Sequence, residues 1–379
     1  MGNNMQYRKF GNTGIELSLL GFGAMRLPMK PDNQGVSHIS MDESVDVLCY
    51  GFEQGINYVD TAYGYCAGES EIAVGRALKN GWRDKVYLST KLPLWNVNEQ
   101  ADFRRLLEEQ LGKLQTDHID FYHFHAVNAD SFENKILKLN LLDEALKAKE
   151  RGQIRFLSFS FHDKPEKMLP VIDTGAFTSV LCQYNLLDRA NEPSIKYAAE
   201  KGLGVIAMGP VGGGRLAFAG SIFEDALEGR VTTPELALRF VLSNPDINLA
   251  LSGMSTRQMV DDNIKVAGGS AALSPQEMSR VQELQEKCRS LASIYCTGCA
   301  YCMPCPFEVN IPVCLEALIY HKVYRMEQPA RDKYAAIGGE WIKGKTASAC
   351  TNCGACETKC PQKVQIREHL AEAAAVFGK

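Results

Sequence analysis

Short apolar or β-branched runs recur along the chain up to about residue 290. They lie at Leu19–Gly23, Asn57–Asp60, Val86–Thr90, His118–His123, Ile154–Ser160, Ser179–Gln183, Leu203–Met208 and Ile247–Ser252. Between several of them the apolar positions fall at i, i+3 and i+4, as in Phe103–Leu114, Leu141–Ala148 and Pro234–Leu242, the spacing that lays one stripe of a helix on a core. Strands that alternate with helices pair in parallel, because each helix carries the chain back to the edge where the next strand must start. Eight such strands predict an α/β fold of the (β/α)8 TIM-barrel type, with a doubly wound sheet as the alternative on pattern alone. Ahead of them, residues 6–20 read as a hairpin across the barrel floor, turning at Gly11–Gly14. Beyond about residue 290 the alternation stops, and two amphipathic helices are expected, Ile311–Tyr324 and Ile366–Phe377. The chain is therefore expected to divide into a barrel over 1–290 and a small domain over 291–379.

Charge narrows the partners. The formal net charge is −4, no Lys/Arg run offers a phosphate-binding footprint, and no apolar stretch approaches the roughly 18 residues that span a bilayer. Neither nucleic acid nor membrane is an expected partner. No basic n-region and apolar h-region opens the sequence, so the expected compartment is a reducing cytoplasm. That bears directly on the thirteen cysteines. Eight of them form two runs, CTGCAYCMPCP (Cys296, Cys299, Cys302, Cys305) and CTNCGACETKCP (Cys350, Cys353, Cys356, Cys360), each closing on a Cys-Pro pair. The second matches C-x2-C-x2-C-x3-C-P, in which three close thiolates hold one [4Fe–4S] cluster and the fourth reaches a neighbouring one. The first run is one residue tighter before its last cysteine. Two runs imply two clusters. Zinc is the alternative, although it ordinarily takes two C-x-x-C pairs separated by a longer loop. Cys314, on the first tail helix, reads as a small core residue.

Chemically pointed residues recur where barrel strands end, the face at which such barrels assemble their sites. Asp60 ends NYVD, Lys91 ends VYLSTK, His125 follows IDFYHF, and Tyr65 lies just beyond Asp60. Singly, each has an ordinary explanation: an Asp caps turns and a His packs into a core. Together they make a proton-donor set. A lysine ammonium beside a tyrosine stabilises tyrosinate and lowers the phenol pKa, an aspartate pairs with the lysine, and a histidine orients a carbonyl.

The segments NYVDTAYGYCAGESE, VYLSTK, IDFYHFH, GQIRFLSFS, QYNLLDR, GLGVIAMGPVGGG and GMSTRQMVDDN, in this order, resemble the landmarks of the aldo/keto reductase family over about residues 5–290. With the cysteine tail, the whole chain resembles the subgroup that ends in a ferredoxin-like 4Fe-4S domain. The resemblance implies reduction of a small carbonyl or oxidation of an alcohol, with NADP(H) or NAD(H) held extended across the barrel mouth. It implies Asp60, Tyr65, Lys91 and His125 as the catalytic set, with Tyr65 as general acid. The family's usual Tyr-Gly pair stands two residues early here, as Tyr63-Gly64; the spacing from Asp60, and back from Ser70-Glu71, selects Tyr65.

By the same resemblance, the cofactor contacts are Ser160, Gln183 and Met208 at the nicotinamide. Pro210, Gly212 and Gly213 follow in the PVGGGR loop, then Gly253 and Ser255 before a helix, and Arg257 and Asn263 near the adenosine. Phe161 replaces the family's Asn, and Met208 an aromatic residue. Met259 stands where some NADP-using members carry a base, which leaves Arg257 to grip a 2′-phosphate; NADP(H) is expected ahead of NAD(H). A nicotinamide passes two electrons as a hydride, whereas a cluster exchanges one at a time, so the two do not couple directly. A flavin would split the pair, but no flavin motif is recognisable. The clusters are expected to relay electrons from a ferredoxin-like redox partner. The alternative is a non-catalytic redox-sensing or binding module with structural clusters.

Overall fold

The computed structural model describes residues 5–32, 37–218, 221–269, 272–291, 296, 300–360 and 363–378. Tyr7–Lys9 (β1) pairs antiparallel with Glu16–Ser18 (β2), making the expected hairpin. Glycine is required at its turn: Gly11 has a φ of +47°, and a Cβ there would lie 2.4 Å from the backbone nitrogen of Gly204. The turn carries Phe10, fully buried, edge-on to Phe121 at 5.2 Å and in one apolar cluster with Tyr58, Leu181, Ile206 and Leu249. The barrel is thus a packed core closed from below.

Leu20–Gly23 (β3) opens the barrel. Met29–Pro31 (β4) and Ser37–Ile39 (β5) form a second antiparallel hairpin that the sequence pattern did not show, because five of its six residues are exposed. The remaining strands are Tyr58–Asp60 (β6), Tyr87–Leu92 (β7), Ile119–Val127 (β8), Ile154–Phe161 (β9), Ser179–Gln183 (β10), Gly204–Met208 (β11) and Leu249–Gly253 (β12). β3 and β6 to β12 pair in parallel, each with the next, and β12 returns to β3. That closure decides against the doubly wound sheet. β3 and β6 are buried at every position, as strands covered on both faces must be.

One irregularity matters for the site. The β8–β9 register shifts between Phe124 and Val127, and Ala126 sits there at a φ of +56° with its N–H donating to Ser160 Oγ at 2.8 Å. The bulge lifts His125 out of the regular ladder.

The chain forms two compact units. Met1–Gly213 with Ala237–Leu273 contain the barrel strands; Gly214–Leu236 with Ser274–Lys379 form the second unit. In the second, the helices Ile311–Lys322 and Ile366–Phe377 bury Ile311, Cys314, Leu315, Leu318, Ile366 and Leu370 in one apolar cluster. The segment after β11 joins this unit through a stack of Phe223 on Tyr324 at 5.5 Å, an Ile222 N–H donating to the Tyr324 carbonyl at 3.3 Å, and an Arg325–Asp225 ion pair. Among the described residues no helix is long and apolar enough to cross a membrane.

Candidate active site

Lys91 projects from β7 and is almost wholly buried. Its Nζ donates to Asp60 Oδ1 at 2.5 Å, to the Thr61 carbonyl at 2.8 Å and to Tyr65 Oη at 3.2 Å. An ammonium has three donors, and all three are used. The other Asp60 oxygen accepts from Ser89 Oγ at 2.8 Å. Burial works against the charge on Lys91, but Asp60 and Tyr65 together outweigh it and hold the lysine above its ordinary pKa. Lys91 lowers the Tyr65 phenol as expected, but it does not set the net direction. Burial is the larger effect and pushes the phenol up, with Lys91 pulling it back only in part, since the ammonium is shared with Asp60. Tyr65 is therefore a protonated acid at neutral pH.

The chain turns sharply just past this tyrosine. Cys66 and Ala67 both have left-handed backbones, at φ values of 50° and 56°, which non-glycine residues rarely adopt. Tyr63, by contrast, donates to Glu109 Oε1 at 3.0 Å and lies beneath Lys113 Nζ at 3.9 Å, with no bond to Lys91. The His125 ring stands perpendicular to that of Tyr65 with 6.0 Å between centroids, and the Trp95 ring lies 4.9 Å from it. Burial first, then the charges of Lys91 and the neighbouring histidines, hold His125 down at a pKa of about 2, so the imidazole is neutral. Its Nδ1 is buried with no hydrogen-bond partner. Trp95 carried no signal in the sequence beyond being an aromatic in a loop; it is half exposed and lines the same space.

A polar network backs these residues. Buried Glu71 accepts from Thr90 Oγ1 at 2.7 Å and Gln110 Nε2 at 2.6 Å, while Gln110 also donates to the Lys91 carbonyl at 3.0 Å. Ser70 Oγ bonds to Thr61 Oγ1 and to the Ala24 carbonyl, both at 2.7 Å. Ser70-Glu71, read from sequence only as a register mark, thus fasten the ends of β6 and β7. Their partners come from several elements, which no local pattern reveals.

The residues expected at a cofactor follow around the strand ends. Ser160 ends its reach on Ala126. Gln183 ends β10 against Gly209, where a Cβ would lie 2.9 Å from its amide. Met208 ends β11 and precedes Pro210, Gly212 and Gly213. The Gly213 carbonyl accepts from Arg26 Nη2 at 2.8 Å, and the same arginine lies over Gly253, whose Cβ position is 3.3 Å from it. Arg26, a lone cation after the first barrel strand, was not picked out by sequence, yet it bridges the two glycine segments. Ser255 contacts the Met259 sulfur at 3.4 Å through its hydroxyl. Arg257 pairs with both carboxylate oxygens of Asp46, Nε at 2.8 Å, and lies 4.7 Å over the Tyr50 ring. Asn263 donates to Ser252 Oγ at 3.1 Å.

Four cysteines converge elsewhere in the chain. Cys305, Cys350, Cys353 and Cys356 line one cavity together with Pro306, Ile311, Gly354, Arg367 and Leu370. A cavity ringed by four thiols fits a cluster whose irons are spread over its faces. Among the described residues no three His, Cys, Asp or Glu side chains converge as closely as a single ion requires. Cys302 is buried in the apolar core of this unit, and Cys296 and Cys360 pack against it. Cys299 and Pro361 lie outside the described residues. Cys314 is fully buried, and burial pushes its thiol up to about 12.

The profile of the aldo/keto reductase family matches residues 19–286, and that of a 4Fe-4S dicluster domain matches residues 295–365. The chain is 26% identical to an L-galactose dehydrogenase of Arabidopsis thaliana over 76% of its own length and 96% of that protein's. It is also 26% identical to an NADH-specific methylglyoxal reductase of Escherichia coli, over 73% of this chain and 97% of the other. The structure of an aldo-keto reductase from Bacillus halodurans superposes with a TM-score of 0.62 at 25% identity, covering 74% of this chain and 96% of that one. The closed barrel, the matched family profile and these relatives agree: the chain is an oxidoreductase that belongs to the aldo/keto reductase family and ends in a 4Fe-4S dicluster domain.

Proposed function

We propose that the barrel, over residues 1–290, interconverts a small carbonyl and its alcohol with NAD(P)H, and that residues 291–379 hold two [4Fe–4S] clusters. The observation that carries this reading is the chain Asp60–Lys91–Tyr65, in which a buried ammonium is fixed by a carboxylate and bonded to a phenol. The bound nicotinamide supplies the hydride. Tyr65 gives its proton to the carbonyl oxygen as negative charge develops there, and Lys91 stabilises the resulting phenolate. Asp60 keeps Lys91 charged and pointed at Tyr65. His125, neutral, orients the carbonyl. Ser160, Gln183, Met208, the Pro210–Gly213 loop, Gly253, Ser255, Arg257 and Asn263 line the path of the cofactor. The relatives named as a reductase and a dehydrogenase support both directions of the reaction.

Cys305 with Cys350, Cys353 and Cys356 would hold one cluster, and Cys296, Cys299 and Cys302 with Cys360 the other. Clusters held by these cysteines would supply one-electron chemistry toward a ferredoxin-like donor, and a flavin or a radical-tolerant substrate would be needed where two electrons leave together. Anaerobic purification followed by iron, sulfide and flavin analysis, with NADH and NADPH oxidation over a carbonyl panel, tests the reading. About eight irons per chain and turnover with some carbonyl are expected. Four irons, zinc in place of iron, or no turnover with any carbonyl would overturn it.

A further inference from the structure

Arg367 is the one charged side chain among the described residues that line the cavity of Cys305, Cys350, Cys353 and Cys356. Its position is fixed from two sides. Glu357 holds it through three bonds, accepting from the Arg367 backbone N–H at 2.9 Å and from Nε and Nη2 at 2.8 Å. On the other side the guanidinium packs on Gly354, in the middle of the second cysteine run, where φ is +78° and a Cβ would lie 3.6 Å from Cζ. Glu357 does not line the thiol cavity; it borders an adjoining groove that Cys350 and Arg367 also line. The guanidinium therefore lines the cavity of the four cysteines, whereas its counter-charge does not.

We propose that Arg367 is a positioning residue for electron transfer, setting the reduction potential of the cluster bound by these four cysteines; the proposal rests on the ligand assignment given above. Reduction adds one electron, taken from an external one-electron donor, to a group that already carries thiolate charge. A fixed guanidinium beside it stabilises the reduced form more than the oxidised form and raises the potential, and partial enclosure strengthens the effect. Glu357 moderates that field and keeps the guanidinium from swinging out to water.

The test is an EPR-monitored redox titration of anaerobic full-length holoprotein, with iron counted in each sample. Arg367→Gln should lower the midpoint of one cluster and leave the other in place, and Arg367→Lys should restore most of the loss. Glu357→Gln, which removes the counter-charge, should shift the same cluster upward. Opposite shifts from the two partners are not expected of a merely structural ion pair. If Arg367→Gln fails to keep its iron, Glu357→Gln and Arg367→Lys still decide the matter. Unmoved midpoints in iron-replete variants, or equal movement of both clusters, would overturn the proposal. Wild-type protein without iron would instead overturn the ligand assignment beneath it.

Discussion

At the scale of single residues, the site is built on one buried ion pair whose members have no replacement. Asp60→Asn leaves Lys91 enclosed without its counter-charge, and breaking such a pair costs about 3–5 kcal/mol. The expected result is a lower Tm together with a large loss of turnover, because an uncharged Lys91 no longer stabilises the Tyr65 phenolate. Wild-type Tm and rate in that variant would count against the ion pair. The pH dependence follows from the signs. Carbonyl reduction needs the protonated phenol, which is present below its pKa and lost above it; since burial raises that pKa above 10.0, the falling limb of kcat should lie on the alkaline side of pH 10. His125, held near 2, stays neutral throughout and adds no limb between pH 5 and 9. A kcat profile that falls near pH 7 would contradict both assignments. Sequence placed Asp60, Lys91 and His125 at strand ends and Tyr65 just beyond one, and it gave the lowering by Lys91 but not the burial that outweighs it, since burial is a property of the folded barrel and leaves no mark in a motif.

At the scale of elements, two contacts bear on the cofactor. Arg257 was read as the group free to meet a 2′-phosphate, but in the structure it lies bidentate on Asp46 at the end of a helix. A phosphate must displace that carboxylate, whereas a ribose hydroxyl need not. Asp46→Asn should therefore tighten the binding of NADPH relative to NADH, measured as a ratio of Kd values; an unchanged ratio would place the adenosine elsewhere. The second contact concerns the segment after β11. Pro210–Gly213 runs directly into Gly214–Leu236, which is anchored on the tail helix through Tyr324 and through Arg215 paired with Glu316. Tyr324→Ala removes the stack with Phe223 and should raise the Kd for NAD(P)H by loosening the loop that precedes it. The helices Phe103–Leu114 and Ile366–Phe377 were legible because their apolar stripes recur at helical spacing. The hairpin of β4 and β5 and the bulge at Ala126 were not, since exposed polar strands and a single left-handed residue give no periodic signal.

At the scale of the whole molecule, an aldo/keto reductase barrel and a 4Fe-4S dicluster domain share one chain. The cysteine spacing and the strand count carried that organisation openly, because ligand spacing and strand periodicity are local. Arg26 and Trp95, and the role of Glu71, were hidden because each gains its place from partners on other elements. Whether the clusters feed the barrel is tested by reducing them chemically and adding carbonyl substrate to cofactor-replete protein under anaerobic conditions; reoxidation is expected, and its absence over a broad panel would make the clusters structural. The central claim is that the barrel works through the phenol on Lys91. Its most direct test is the anaerobic rate of NAD(P)H oxidation, with one carbonyl substrate, by wild type, Tyr65→Phe and Tyr63→Phe in the full-length protein. Loss of the general acid should slow Tyr65→Phe by about 10²-fold or more with cofactor affinity kept, while Tyr63→Phe stays near wild type. A Tyr65→Phe protein that turns over at the wild-type rate would contradict the account.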